Sequence, residues 1–314
     1  MSAAIVSSSP HSNADIRIAN SKRAARRRWL LLAPALTLLF VASAGPLLLP
    51  LVFTFLEKGD YAGVKWVLSG EAWFSVLFQR DIFEGTVSLN TATLSILWRS
   101  IFLALVATVL SLIIGFPTAY FIATRSPRWR SILLFLITLP FWTNGLIRTF
   151  AIMEYLRQDG VINTALLWIG IISQPIQMLN TDFAVGVGLA YVFLPLMVLP
   201  LYASIEKLDS RLVEAGFDLY ARWPQVLKRI ILPAVRPGLV AGCLLVFIPA
   251  LGSYVTARFM GGGRSLMIGN LIEHQFQQGR NWPLGSALSM CLMAFVVIGL
   301  MINARFSAKS GASS

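Results

Sequence analysis

Six apolar runs alternate with polar segments along the chain, at 30–56, 97–123, 131–153, 184–205, 238–257 and 283–304. A helix rises 1.5 Å per residue, so roughly 20 apolar residues cross a hydrocarbon layer about 30 Å thick. Inside lipid each backbone polar group must be satisfied within the protein, which a helix does at every crossing. The pattern predicts an all-α polytopic membrane protein with six transmembrane helices. A seventh apolar stretch, Val161 to Ile172, is too short to span and reads as an interfacial or re-entrant helix. Residues 1–28 form a polar tail expected to be disordered, and 29–57 the first transmembrane helix. The segment 58–95 mixes Trp66, Trp73 and Phe74 with charges of both signs and reads as a small folded cap or hairpin. Residues 96–305 hold the remaining spans, and 306–314 a second tail.

Composition agrees with lipid as the solvent. The chain is 56% hydrophobic and 13% charged with mean hydropathy +0.71, more apolar surface than one soluble core buries. Its net charge of +12 would suggest nucleic acid if it were spread evenly. With both termini on one side, however, the segments on that side carry 17 of the 26 basic residues and five acids. The opposite side carries nine of each. All the excess lies on one face, the positive-inside pattern, which places both termini in the cytoplasm and leaves no basic patch for nucleic acid.

The run Lys22 to Arg28 before Trp29 resembles the start of a signal peptide, but the apolar region continues through Pro34, Pro46 and Pro50 to Leu56. That is longer than a signal h-region of about 7–15 residues, so an uncleaved first helix is expected. Cys243 and Cys291 sit within apolar spans, and His11 and His274 are isolated, so neither a disulfide nor a metal site is indicated and no cofactor is expected. Pro117, Pro140, Pro195, Pro200 and Pro249 fall in or at the ends of spans, where each removes a backbone donor and permits a kink.

The longest inner connection, 206–237, is patterned as two short amphipathic helices. Asp209 or Ser210 can cap the first, whose Val213, Phe217 and Tyr220 recur on one face before Trp223-Pro224 ends it. The second runs from Gln225 to Leu232 with Val226, Leu227, Ile230 and Ile231 apolar and Lys228-Arg229 polar, closed by Pro233.

Here the sequence resembles a known family. Glu214-Ala215-Gly216, Ile230-Ile231-Leu232-Pro233 and Pro237-Gly238 are similar to the EAA loop of type I, MetI-like ABC importer permeases, and 96–305 to their permease domain. Gly216 stands where that family has a second Ala, and Tyr220 where a Gly is usual, which predicts a bulkier turn. Further stretches resemble the spermidine/putrescine permeases: Pro140 to Asn144 with Leu146-Ile147-Arg148, Gly160 to Asn163, Ile268-Gly269-Asn270 and Asn281-Trp282-Pro283. The resemblance implies half of a translocation pore in a bacterial inner membrane. It also implies a second permease subunit, two copies of an ATP-binding subunit that receive the loop at Glu214, Ala215, Gly216, Tyr220, Leu232 and Pro233, and a periplasmic substrate-binding protein. No G-x-x-x-x-G-K-[ST] phosphate loop occurs, so ATP hydrolysis is expected in the partners and the chain is not itself an enzyme.

Polyamine import is the substrate reading that the resemblance implies; an amino acid, an opine or another small solute is the alternative, and a secondary transporter or channel the alternative machine. Cation–π and carboxylate contacts would serve an ammonium. Glu154 with Tyr155 and Trp142, Asn144 in the proline-marked span, and Ser253 with Tyr254 in the fifth span are the candidate path residues. Glu154 reads equally as an interfacial group, and the fifth-span residues as helix packing.

Overall fold

The computed structural model describes residues 10–80 and 86–311. Helix α1 (Pro10–Phe53) enters the bundle, followed by strands β1 (Leu56–Lys58) and β2 (Val64–Leu68), helix α2 (Glu71–Leu77) and strands β3 (Phe78–Arg80) and β4 (Val87–Leu89). Then come α3 (Thr91–Ala123), α4 (Pro127–Trp142), α5 (Gly145–Leu156), α6 (Val161–Trp168) and α7 (Asp182–Glu206). The loop helices are α8 (Ser210–Asp218), α9 (Trp223–Val226) and α10 (Leu232–Ala234), the last two joined by a π-helical turn, Leu227–Ile231. Helices α11 (Arg236–Leu251), α12 (Val255–Gly261), α13 (Ile268–Gln277) and α14 (Trp282–Gly311) complete the chain.

Four helices are long and apolar enough to cross a membrane, with spans at Leu32–Phe53, Thr91–Ala123, Asp182–Glu206 and Trp282–Arg305. The expected third and fifth spans are broken instead. Pro127–Trp142 and Gly145–Trp168 meet at 96°, because Thr143 turns extended and the Asn144 side chain accepts the Leu146 amide to start a new helix. The fifth run breaks at Gly252–Tyr254, and its helix α11 meets the loop segment Trp223–Ala234 at 74°. Counting each bent pair once gives six. Helix α6, the short seventh stretch, is only eight residues long and is followed by Gly170, whose φ is +78°.

At the other end of the chain, α1 starts at Pro10 and continues unbroken into the first span. Residues 10–28 of the tail expected to be disordered are thus helical, and the rest of that tail, 1–9, lies outside the described residues, as do 312–314 of the tail 306–314, whose first residues end α14. Extending an existing helix adds a bond per residue without a new nucleus, and 11–33 contains neither Gly nor Pro to stop it. The segment 58–95 folds as two antiparallel ladders, Leu56↔Leu68 to Lys58↔Val64 and Phe78↔Leu89 to Arg80↔Val87, around α2. Lys65 donates to Asp60 at 2.7 Å, and that hydrogen bond, with the carboxylate's charge, raises the ammonium's pKa above its ordinary value.

Helix α7 is the centre of the bundle: 61% of its apolar window is buried, against 0% for α1, which lies exposed at the periphery. Leu103, Ala104 and Ala107 of α3 meet Val185, Leu189 and Ala190 of α7 and Ala250 and Leu251 of α11 in one core. A second core joins Ile122, Met197, Leu201 and Ile205 to Val226, Ile231 and Val235, so the loop helices are packed onto the ends of α3 and α7. Small residues allow these close crossings, as is usual where lipid supplies no hydrophobic drive between helices. Gly238 lies where a Cβ would stand 2.6 Å from the Pro200 carbonyl oxygen and against Ser204.

Candidate coupling loop and translocation path

Asp209 begins the loop helices: its carboxylate accepts the Arg211 amide at 3.0 Å, which selects it over Ser210 as the cap of α8. Helix α8 turns Gly216 inward, where it is buried and a Cβ would meet Ile230 Cδ1 at 2.7 Å and Val226 Cγ2 at 3.4 Å. Glu214 and Ala215 face outward and are exposed. The close approach of the two helices restricts position 216 to a small residue. Because the nearest atom is the flexible end of an isoleucine, Gly216→Ala should leave transport within about twofold, whereas Gly216→Leu overpacks the crossing by about 1–3 kcal/mol. Uptake by the assembled transporter should then fall by about tenfold; equal uptake in both variants would contradict this packing.

Helix α8 stops at Asp218, not at Trp223-Pro224, and Tyr220 leaves the apolar face on which the periodicity placed it. Tyr220 adopts φ +58°, donates its amide to Phe217 O at 2.8 Å, and is followed by Ala221 donating to Gly216 O at 3.1 Å. This pair of bonds is a Schellman end, and its left-handed position is the one glycine fills most readily. The turn is therefore kept despite the tyrosine, whose side chain is 96% exposed at the loop tip beside Leu219 at 82%. The left-handed conformation costs a tyrosine roughly 1–2 kcal/mol, of which glycine's extra unfolded-state freedom returns about half. Tyr220→Gly should raise the thermal midpoint of the purified complex by about a degree or two; a lowered midpoint would mean that the ring, not the turn, stabilises the loop.

The second helical segment begins at Trp223 with Pro224 in its first turn. Trp223 stacks on Phe217 at 6.2 Å and meets Tyr120 of α3 edge-on at 5.4 Å, tying the loop tip to the bundle. Pro233 does not close this segment. It offers no N–H to Arg229 O, and the Leu232 amide instead reaches Leu227 O, so the chain widens into the π-turn and bends at Val235. Leu232 is half-buried and Pro233 exposed. Arg130 holds the root of the loop, with Nη1 3.3 Å from Glu206 Oε1.

The path candidates fall at the two breaks. Trp142 ends α4 and is 85% exposed, while Asn144 is engaged as the cap of α5. Ser253 is half-buried in the α11–α12 break, and Tyr254 lends its carbonyl to Asn270 Nδ2 at 2.9 Å. Gly269 presses on this break too, a Cβ there falling 2.5 Å from Gly252 O. Helices α5 and α12, which follow the two breaks, pack through Phe150 and Phe259 at 4.9 Å. Glu154, one turn beyond Phe150 in α5, is not a free carboxylate; it pairs with Arg157 at 3.0 Å on the surface. No hydrogen bond joins Trp142, Asn144, Glu154, Ser253 and Tyr254 to one another among the described residues.

Several residues act through contacts that are distant in the sequence. Buried Asn163 donates to Arg157 O and Ile176 O and accepts the Ile176 amide at 3.0 Å, closing the loop around α6. Ser100 accepts the Ile268 amide at 2.7 Å, and Ser265 donates to Asp182. Arg148 donates to Val192 O at 3.1 Å and lies over Phe141, its Nε buried without a partner.

Residues 115–309 match the family described as the binding-protein-dependent transport system inner membrane component. The chain belongs to this family. It is a multi-pass inner-membrane transport subunit, and not a catalytic enzyme. It is 44% identical over 228 residues to the spermidine/putrescine transport system permease protein PotB of Haemophilus influenzae, covering 73% of this chain and 80% of that one. Against the Escherichia coli protein of the same name it is 42% identical over 252 residues, covering 80% and 90%. The family fold is shared with a bacterial ABC transporter that imports the acidic polysaccharide alginate, at TM-score 0.62 and 17% identity over 92% of this chain and 99% of that one. The methionine transporter MetNI in an inward-facing form matches at TM-score 0.51 and 16% identity, over 69% and 95%.

Proposed function

We propose that the chain forms half of the translocation pore of an ATP-driven polyamine importer, taking spermidine and putrescine from a periplasmic binding protein. The observation that carries the substrate is the 42–44% identity to spermidine/putrescine permeases over most of the chain. In this reading both termini and the 206–237 loop face the cytoplasm, which the sided excess of basic residues supports. One of two ATP-binding subunits then seats the exposed Glu214, Ala215 and Tyr220, and a second permease subunit completes the pore.

The loop's packing supplies the mechanics. Movement of an ATPase against α8 passes through Gly216 to the segment Trp223–Ala234, and from Val226, Ile231 and Val235 into α3, α7 and α11. Interfaces packed this tightly shift between discrete arrangements rather than deform smoothly. The breaks at Thr143–Asn144 and Gly252–Tyr254 are the weak points of their spans and so the places where access alternates. Polar backbone at membrane depth is tolerated where it lines a cavity or is buried in protein.

The test is uptake of labelled spermidine, putrescine and a neutral amino acid by the complex reconstituted with its binding protein. Polyamine uptake that the amino acid does not compete away is expected. Amino-acid uptake without polyamine uptake would overturn the substrate and leave the machine standing.

A further inference from the structure

At the end of the bundle that carries the loop helices, the last turn of α3 and the first turns of α4 enclose a groove of about 270 Å³ lined by Phe121, Arg125, Trp129 and Leu133. Trp129 and Leu133, four apart in α4, form one ridge, and Phe121 of α3 with Arg125 of the α3–α4 turn faces it. The Arg125 guanidinium lies over the Phe121 ring, its Cζ 4.1 Å from the centroid. Stacking on a ring holds the cation by its face and leaves its N–H edges for another partner. No carboxylate of the described residues lies within ion-pair distance of Arg125 or Arg128.

The corner is also fixed in place. Arg130 donates from Nε to the Arg125 carbonyl at 2.7 Å while its Nη1 engages Glu206. Helix α4 opens toward the same corner with Pro127, which has no N–H, and with a Ser126 cap that makes no side-chain bond. The amides of Arg128 and Trp129 therefore have no acceptor among the described residues. Phe121 and Trp129 are exposed at the ends of two apolar helices, the depth at which indoles and headgroups meet.

We propose that this groove is a binding site for an anionic phospholipid. Arg125 and the first turn of α4 hold the headgroup phosphate, and one acyl chain lies along Trp129 and Leu133. Unopposed positive charge selects phosphatidylglycerol over phosphatidylethanolamine, whose ammonium would sit beside Arg125 and Arg128. Because Arg130 links the corner to Glu206, the last residue of α7 and the first of the 206–237 loop, a bound lipid braces the root of that loop.

Native mass spectrometry tests this on the assembled complex released from nanodiscs of equimolar phosphatidylglycerol and phosphatidylethanolamine. The unaltered complex and Arg305→Ala, which removes an equal charge elsewhere, should retain phosphatidylglycerol in preference. Arg125→Ala and Trp129→Ala should each lower the retained fraction by about tenfold, as the loss of one charged contact implies. The same spectra report assembly, so a variant that fails to assemble is recognised and the other carries the test. Equal retention in assembled Arg125→Ala, equal retention of both lipids, or displacement by excess inorganic phosphate would each overturn the lipid assignment.

Discussion

Glu214→Lys is expected to abolish ATP-driven uptake while the protein still inserts and folds. Glu214 is exposed and, among the described residues, neither hydrogen-bonded nor ion-paired within its own chain. Surface changes of that kind usually alter a chain's own stability by no more than about 0.5 kcal/mol. In the proposed assembly this carboxylate is free to meet an ATP-binding subunit. Reversing a charge that is desolvated against a partner costs about 2–5 kcal/mol, a weakening of the assembly by roughly 30-fold or more. Co-purification of the ATP-binding subunit and proteoliposome uptake measure the two halves of this expectation. Unchanged ATP-dependent uptake in the Lys variant would remove Glu214 from the docking surface.

Gly238→Leu should have the larger effect on the protein itself. A Cβ at this position already lies 2.6 Å from the Pro200 carbonyl oxygen, a backbone atom that cannot swing aside as the tip of a side chain can. Separating α11 from α7 opens the second core at Leu201, Val235 and Val246. Overpacking on this scale costs about 3 kcal/mol or more, a large fraction of the stability of a typical fold. The measurement is the yield of monodisperse protein in detergent, expected to fall severalfold for Gly238→Leu and little for Gly45→Leu, where nothing lies within 4 Å. Equal yields would show that the α7–α11 crossing is looser than its geometry implies.

These two residues mark what the sequence makes legible and what it does not. The loop around Glu214 is readable because its signals are local: an Asp209 cap, apolar spacing and prolines at fixed offsets. The spans are readable because hydropathy is a sum over many residues. Gly238 and Gly216, by contrast, acquire meaning only from the helix that crosses them, and nothing nearby announces Ser204 or Ile230. The buried amides of Asn163 and Asn270 join segments brought together by the fold. The breaks at Thr143–Asn144 and Gly252–Tyr254 are an intermediate case: each carries turn-forming residues, yet the surrounding apolar run reads as continuous. Tyr220 shows the reverse, a turn held by backbone bonds although its residue type argues against it.

Cross-linking detects whether the exposed face of α8 meets an ATP-binding subunit, as proposed above. A cysteine at Ala215, in a background lacking Cys243 and Cys291, should cross-link to the ATP-binding subunit in the assembled complex, whereas one at Lys58 in β1 should not. A cross-link from Lys58, or none from Ala215 in an intact complex, would contradict the account.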